Sequence, residues 1–221
     1  MKVSILLLTL NELDGLKLIL PRIKKEWYDD LVIVDGGSTD GTFEYAKEQG
    51  YFIFRQVKKG FGAAITEGTE KLTGDTIIVL SPDGNSIPEL IPKITDKMKE
   101  GYDIVVASRY REGAKSYDDD VITALGNRVF TALVNLLFRA NITDSLVMYR
   151  AYKKSVITEF TKKPRVNTWG LQPLARAAKR KMKIGEIPGD EPARIGGVRK
   201  MIPVRNGLSE LGAIITELFI R

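Results

Sequence analysis

The sequence predicts a doubly wound α/β domain on three observations. Short, continuous apolar runs alternate with helix-patterned segments over the first hundred residues, the unusual polar residues cluster just after those runs, and 221 residues suffice for one sizeable core. Val3–Leu8, Leu31–Val34, Tyr51–Arg55, Thr76–Leu80 and Asp103–Ala107 read as short buried strands. Between them Glu12–Lys25, Gly41–Gln49, Gly62–Leu72 and Pro88–Lys99 carry helical spacing, with Pro88 suited to a first turn and Gly101 to a stop. Doubly wound sheets bind ligands beyond the C-terminal ends of their strands. Asn11-Glu12, Asp35, Asp83 and Arg109 stand there, after strands one, two, four and five.

Beyond Arg111 the pattern changes. Residues 112–120 are polar and acidic, with Asp118-Asp119-Asp120, and are expected to form a mobile loop. Val121–Arg139 reads as a strongly apolar helix, residues 145–188 mix helices with the basic stretch Arg176–Lys183, and Gly189–Lys200 is rich in Gly and Arg before a final helix. No repeat or low-complexity tract interrupts the chain, so one domain over 1–221 is expected, in two halves, 1–111 and 112–221.

Composition excludes whole classes of chemistry. With no His and no Cys, structural zinc, iron–sulfur clusters, disulfides, Cys nucleophiles and Ser-His-Asp triads are ruled out. A metal would need oxygen ligands, which points to Mg2+ or Mn2+, and a general base would have to be Asp, Glu, Lys, Tyr or the substrate itself. Residues 1–149 hold 18 basic and 22 acidic side chains, whereas residues 150–221 hold 16 and 6. The basic last third fits an anionic partner or a solvated surface. It lacks the interleaved aromatics of a nucleic-acid stacking surface, so no nucleic-acid partner is expected. Asn127, Arg128 and Asn135 within Val121–Arg139, and Glu210 and Glu217 within Leu208–Ile220, argue against a spanning helix. Without a recognisable secretory signal, a cytoplasmic or membrane-peripheral location is expected.

Two strand-end loops carry candidate chemistry. In Asp35-Gly36-Gly37-Ser38-Thr39-Asp40-Gly41-Thr42, small residues let the backbone approach a ligand while Asp35 offers acceptors to a base or ribose. The same segment also suits a plain turn capped by Ser38 or Asp40. It is not the Gly-x-Gly-x-x-Gly fingerprint of a nicotinamide site. Ser81-Pro82-Asp83-Gly84-Asn85-Ser86 places one carboxylate where a metal can bridge it to a diphosphate, though on local evidence alone Pro-Asp-Gly favours an ordinary turn.

The order of these pieces is what distinguishes the chain. Thr9-Leu10-Asn11-Glu12, Asp35 to Thr42, Lys59-Gly60-Phe61-Gly62, Asp83 and Ala107-Ser108-Arg109-Tyr110 resemble the inverting family 2 glycosyltransferases of GT-A fold. Ile142-Thr143-Asp144-Ser145, Met148 to Ala151, Glu186-Ile187-Pro188 and Arg194-x-Gly196-Gly197-x-Arg199-Lys200 resemble their polyprenyl-phosphate branch, and the resemblance covers residues 3–204.

The resemblance implies a nucleotide-sugar half, 1–111, and an acceptor- and membrane-facing half, 112–221. Thr9, Asn11, Glu12, Asp35, Gly36 and Gly62 would line the nucleotide-sugar pocket, linked through GDP or UDP. Asp83 would be the last acid of the metal motif, with Asn85 beside it on metal or diphosphate. Arg109 would face phosphates, and Arg194 and Lys200 would clamp phosphate from a flexible loop. Three departures stand out: Gly36 replaces the usual second Asp, Ser81 replaces the first Asp of the metal motif, and Arg199 replaces the usual Ser.

The resemblance implies that a hydroxyl acceptor would be served by a carboxylate in the neighbourhood of Thr168-Trp169-Gly170-Leu171-Gln172-Pro173, where the sequence has none, whereas a lipid phosphate needs no base. Asp144 is expected to cap a turn or pair with Arg150. The apolar excess of Val121–Arg139 suits peripheral contact with a bilayer, with Phe130 and Leu133 among the lipid-facing residues, or else a core or dimer face. A membrane-anchoring subunit or a homo-oligomer would serve the same end. Transfer to a soluble hydroxyl acceptor, and a non-catalytic nucleotide-sugar binder, remain as alternatives.

Overall fold

The computed structural model describes residues 1–162, 166–195 and 203–220. The strand-and-helix alternation is present: β1 (Val3–Thr9), α1 (Leu13–Ile19), β2 (Asp30–Asp35), α2 (Thr42–Glu48), β3 (Phe52–Arg55), α3 (Phe61–Lys71), β4 (Thr76–Leu80), α4 (Ile91–Lys99) and β5 (Ile104–Ser108). After these come α5 (Val121–Phe138), β6 (Arg150–Lys153), α6 (Lys154–Thr161), α7 (Gln172–Lys179), β7 (Ile184–Pro188) and α8 (Pro203–Phe219).

The strands form one seven-stranded sheet in the order β3-β2-β1-β4-β6-β5-β7. All neighbours are parallel except β6, which runs antiparallel between β4 and β5. Ile5, Leu7, Ile33, Ile77, Ile78 and Ile104–Val106 are fully buried, as runs covered on both faces must be. α3 lies across β1 and β2 against α6, α4 covers β5, β6 and β7, and α5, α7 and α8 pack on one another.

Chain order reverses at β1. β2 and β3 extend to one side and β4 to the other, which opens a crevice between the loops after β1 and β4. α1 seals the floor of that crevice. A Cβ on Gly15 would stand 2.1 Å from the Pro82 carbonyl oxygen and 2.8 Å from Asp83 Cα, so only glycine lets this helix touch the Asp83 backbone.

Several expectations are corrected. The first helix stops at Ile19 rather than Lys25 and passes into a 3-10 turn, Leu20–Arg22, because Pro21 has no amide hydrogen to continue the ladder. Pro88–Leu90 is likewise a 3-10 turn, and α4 proper starts at Ile91. β6 and β7 lie within 145–188, where the sequence suggests helices and a basic stretch.

The expected loop 112–120 is tied to the segment after β7. Lys115 N donates to Asp190 Oδ1 (2.8 Å), Tyr117 N to the Glu191 carbonyl (2.8 Å), and Glu191 N to the Lys115 carbonyl (2.9 Å).

α5 is the element most at odds with its sequence reading. Its inward side carries Asn127, Thr131, Val134 and Phe138, spaced by three and four residues, so two of its four buried residues are polar. Val121, Ile122, Leu125, Val129, Leu136 and Leu137 are exposed instead. Phe130 and Leu133, expected to face lipid, pack partly against the core. By length and mean hydropathy (1.6) α5 is apolar enough to cross a membrane, and only 22% of it is buried. α8 behaves alike: Ala213, Ile214 and Glu217 are buried, while Leu208, Leu211, Ile215, Leu218 and Phe219 are exposed.

Candidate active site

On the β1–β2 side the loops are laced together. Asp35 is fully buried, and its carboxylate accepts from Gly37 N (3.0 Å), Ser38 N (3.0 Å), Ser38 Oγ (2.5 Å) and Thr9 Oγ1 (3.3 Å). Asp35 therefore shapes the loop from beneath, with its acceptors turned to the protein. Asn11, at φ 54°, donates its N–H to Ser38 Oγ and accepts from Thr39 N, both at 2.8 Å. Glu12 N donates to Thr42 Oγ1 (3.0 Å).

Asp40 accepts from Leu13 N (3.1 Å) and Thr42 N (3.0 Å), so one side chain caps the starts of α1 and α2. Burial pushes its pKa up, but hydrogen bonds from Thr42 and Leu13 outweigh this and hold it below the usual carboxylate range. Gly36 lies against Leu10 and Thr9, where a Cβ would come within 3.3 Å of both. Gly62 opens α3 beside Trp169, whose Nε1 would lie 3.1 Å from a Cβ there. It lines a cavity that also includes Lys58–Ala63 and Val166–Gly170.

A second cavity, of about 620 Å³, is lined by Asp83, Asn85 and Arg109 together with Ile122 and Phe130 of α5 and Asn206 and Gly207 of α8. The two cavities share Met148 and Gly170. Asp83 is almost fully buried at its head, and Asn85 N donates to its Oδ1 (3.3 Å). Gly84 holds φ +88°, a turn conformation that L side chains rarely adopt. Arg194 Nη2 meets Asp83 Oδ2 at 3.0 Å and Asp118 Oδ2 at 3.7 Å.

Arg109 is enclosed by carboxylates. Its Nε and Nη2 donate to Asp144 (2.7 and 3.0 Å), and its Nη1 to Glu191 (3.1 Å) and Asp119 (3.3 Å). Burial disfavours its charge, but Asp144, Glu191 and Asp119 together raise its pKa. Asp144 is likewise opposed by burial and held low by Arg109. Glu191 goes the other way: burial raises it in spite of Arg109. Arg109 thus spans β5, the 112–120 loop and the segment after β7, with its donors turned to protein rather than to open cavity.

The expected Asp144–Arg150 pair is absent. Asp144 bonds Arg109 and Asn127 (3.2 Å) and accepts from Leu146 N and Val147 N (both 3.1 Å), so its capping role is present. Arg150, wholly buried, donates to the carbonyls of Ser145 (2.8 Å) and Gly170 (2.7 Å).

Two carboxylates enter the site that sequence reasoning did not place there. Glu191 accepts from Asn85 Nδ2 (3.3 Å) as well as from Arg109. Glu210, from α8, accepts from Thr168 Oγ1 and Leu171 N, both at 3.1 Å, and lies against Gly170, where an acid was lacking in the local sequence. Burial raises its pKa beyond what those hydrogen bonds and nearby Arg150 restore. No local motif marks Glu210; only the spacing of Glu210, Ala213, Ile214 and Glu217 on one helix face hints that it turns inward. Lys200, Arg199, Gly196 and Gly197 lie outside the described residues.

Among the described residues no group of three or more acidic side chains is arranged to hold a metal. Asp83 faces the Arg194 guanidinium, and a cation held there would need ligands beyond this one carboxylate, of the kind phosphate oxygens supply.

The sequence profile of Glycosyl transferase family 2 matches residues 4–161, and the chain belongs to that family. It is 28% identical over 226 residues to the glycosyltransferase AglJ of Haloferax volcanii, covering 99% of this chain and 71% of that protein. A dolichyl-phosphate hexose transferase of the same organism is 27% identical, over 90% of this chain and 86% of its own length. A dolichol-phosphate mannosyltransferase of Pyrococcus furiosus is 35% identical over 52% of this chain, but only 35% of that protein is matched. Among solved structures, glucosyl-3-phosphoglycerate synthase from Mycobacterium tuberculosis, in complex with Mn2+, UDP-glucose and phosphoglyceric acid, superposes with a TM-score of 0.76 at 18% identity. That likeness covers all of this chain and 80% of the other, and it shows the GT-A fold.

Proposed function

We propose that this family 2 glycosyltransferase moves a sugar from a GDP- or UDP-linked donor to a polyprenyl phosphate, with inversion, at the cytoplasmic face of a membrane. The observation that carries the acceptor is the cavity that Asp83 shares with α5 and α8, with Ile122, Phe130, Leu146, Val147 and Met148 in its apolar lining. Such a corridor suits a prenyl tail with its phosphate at the inner end. The outward apolar faces of α5 and α8 suit the bilayer, each buried side chain contributing roughly 1.5–3 kcal/mol. A membrane-anchoring subunit or a second copy would cover the same faces. The Pyrococcus and Haloferax relatives, a dolichol-phosphate mannosyltransferase and a dolichyl-phosphate hexose transferase, support the same acceptor class.

In this reading the donor lies over the laced loops of Thr9, Asn11, Glu12, Asp35 and Gly36, and reaches Gly62 across the crevice. Asp83 and Asn85 would hold Mg2+ or Mn2+, which would supply positive charge to the departing diphosphate. An acceptor phosphate oxygen attacks the anomeric carbon as its bond to the diphosphate oxygen breaks. That oxygen is already anionic, so no proton needs removing. Arg194 and Lys200 serve the phosphates, and Arg109 holds the surrounding loops.

The test is transfer from labelled GDP- and UDP-hexoses to polyprenyl phosphate with Mg2+ or Mn2+. A labelled lipid that releases its sugar in mild acid supports the reading. Donor binding without any lipid product contradicts it.

Glu210 favours a second reading, transfer to a hydroxyl of a soluble acceptor, because a carboxylate of raised pKa in this cavity is suited to accept a hydroxyl proton. An acid-stable product, lost in Glu210→Gln, would establish it.

A further inference from the structure

The Arg194 contact with Asp83 has a consequence for how the site acquires its metal. Arg194 lies between two carboxylates, 3.0 Å from Asp83 and 3.7 Å from Asp118. Its main chain is fixed separately: Arg194 N donates to Asp118 Oδ1 (3.4 Å), and Ile195 N to the Asp83 carbonyl (3.2 Å). Ile195 also rests on Gly84, where a Cβ would come within 3.1 Å of it. The backbone can therefore stay docked while the guanidinium alone turns from one carboxylate to the other. Among the described residues Arg194 Nε is buried without a hydrogen-bond partner, so the arrangement leaves a donor unspent.

We infer that Arg194 is a built-in counter-cation of the metal position, competing with a divalent ion for Asp83 until a diphosphate draws the guanidinium away. The inference rests on Asp83 as the metal ligand. Asp83 carries one carboxylate, Ser81 adds none, and a guanidinium at 3.0 Å already neutralises it. A bare divalent ion must displace that charge, whereas an ion arriving with a diphosphate brings its own partner for Arg194, bidentate and of opposite sign. Metal and donor then bind cooperatively, and the site resists loading with metal alone. The orphaned Nε is the donor that phosphate satisfies.

The test is Mn2+ binding followed by the electron paramagnetic resonance of the free ion, with and without inorganic pyrophosphate, which removes any dependence on the base. In the wild-type chain Mn2+ alone should bind weakly, and pyrophosphate should strengthen it. Arg194→Gln should bind Mn2+ alone roughly tenfold more tightly, within the usual range of coupling between two ligands, and the gain from pyrophosphate should shrink. Arg194→Lys, which keeps a cation, should stay near the wild type. Unchanged or weaker Mn2+ binding in a folded Arg194→Gln, checked by circular dichroism, overturns the inference while leaving Asp83 as ligand. Undiminished Mn2+ binding in Asp83→Asn instead removes the ligand reading, and the inference with it.

Discussion

Around β1, β2 and β4 the apolar side chains Ile5, Leu7, Ile33 and Ile78 are inside and the polar residues stand on loops at strand ends, whereas α5 and α8 turn Asn127, Thr131, Glu210 and Glu217 inward and leave Ile122, Leu125, Leu211 and Ile215 in the open. The first arrangement builds a rigid floor for a charged ligand. The second places polar groups beside a reaction site and apolar groups where a lipid or another protein can cover them. The two regions thus differ in which side chains they bury, and the exposed apolar faces of α5 and α8 are what the proposed bilayer contact rests on. The polar groups of the α5–α8 region meet partners within the protein, while its apolar groups largely do not.

Asp83 stands on the floor and also lines the α5–α8 cavity, so the largest effect is expected there. Asp83→Asn should lower turnover by about 10²–10³, the scale for losing one preorganised charge at a transition state, with stability near that of the parent. Near-normal activity with Mg2+ would place the metal elsewhere. Next comes Asp144, the point where the two regions are joined. Asp144→Asn leaves Arg109 buried beside two less intimate acids, and urea unfolding should show a loss approaching the ~3–5 kcal/mol of a broken buried pair. A loss below 1 kcal/mol would mean that Glu191 and Asp119 suffice. Gly15→Ala probes the floor alone. With the Pro82 carbonyl 2.1 Å from the new methyl, it should cost roughly 1–3 kcal/mol and displace the Asp83 loop, seen as weaker Mn2+–diphosphate binding.

How much of this was legible follows the same divide. The strand-end loops of the first region could be read because each signal is local: an apolar run, then small and polar residues, in a fixed order. β6 could not. It is four residues long with Arg150 and Lys153 at its ends, and Arg150 is buried only because the carbonyls of Ser145, Trp169 and Gly170 meet it from other segments. Asp144 finds its partner 35 residues back rather than at Arg150, a choice made by the sheet and invisible in the chain. Glu210 supplies its carboxylate to Leu171 across 39 residues. In α5 the number of apolar residues was evident and their direction was not. Phe130 and Leu133 turn partly inward because Asn127 and Thr131 are drawn to Asp144 and Ser145, which fixes the rotation of the helix.

Smaller effects sharpen the same contrast. Glu210 has a raised pKa through burial, so the native state holds its proton more tightly than the unfolded chain does. Its contribution to stability is then full below the ordinary Glu value and is lost as pH rises through the folded value. Glu210→Gln should flatten that decline, measured as melting temperature against pH, and an unchanged slope would assign the decline to Glu191. At the outer face Leu125→Gln with Leu136→Gln should change stability by no more than about 0.5 kcal/mol each. The same pair should reduce sedimentation with anionic liposomes, whereas Phe130→Asp should destabilise the fold. Equal sedimentation of the glutamine pair and the parent would assign the exposed face to a protein partner.

The most direct measurement is photolabelling with a polyprenyl phosphate that carries a benzophenone near its head, followed by mass-spectrometric mapping of the adducts. The expected result is labelling of the cavity lining near Asp83, at Leu146, Val147, Met148 and Tyr149, reduced by unlabelled polyprenyl phosphate. Adducts confined to the outer residues Leu136 and Phe219, or to the Lys58–Phe61 wall beside Gly62, would contradict a prenyl corridor between α5 and α8.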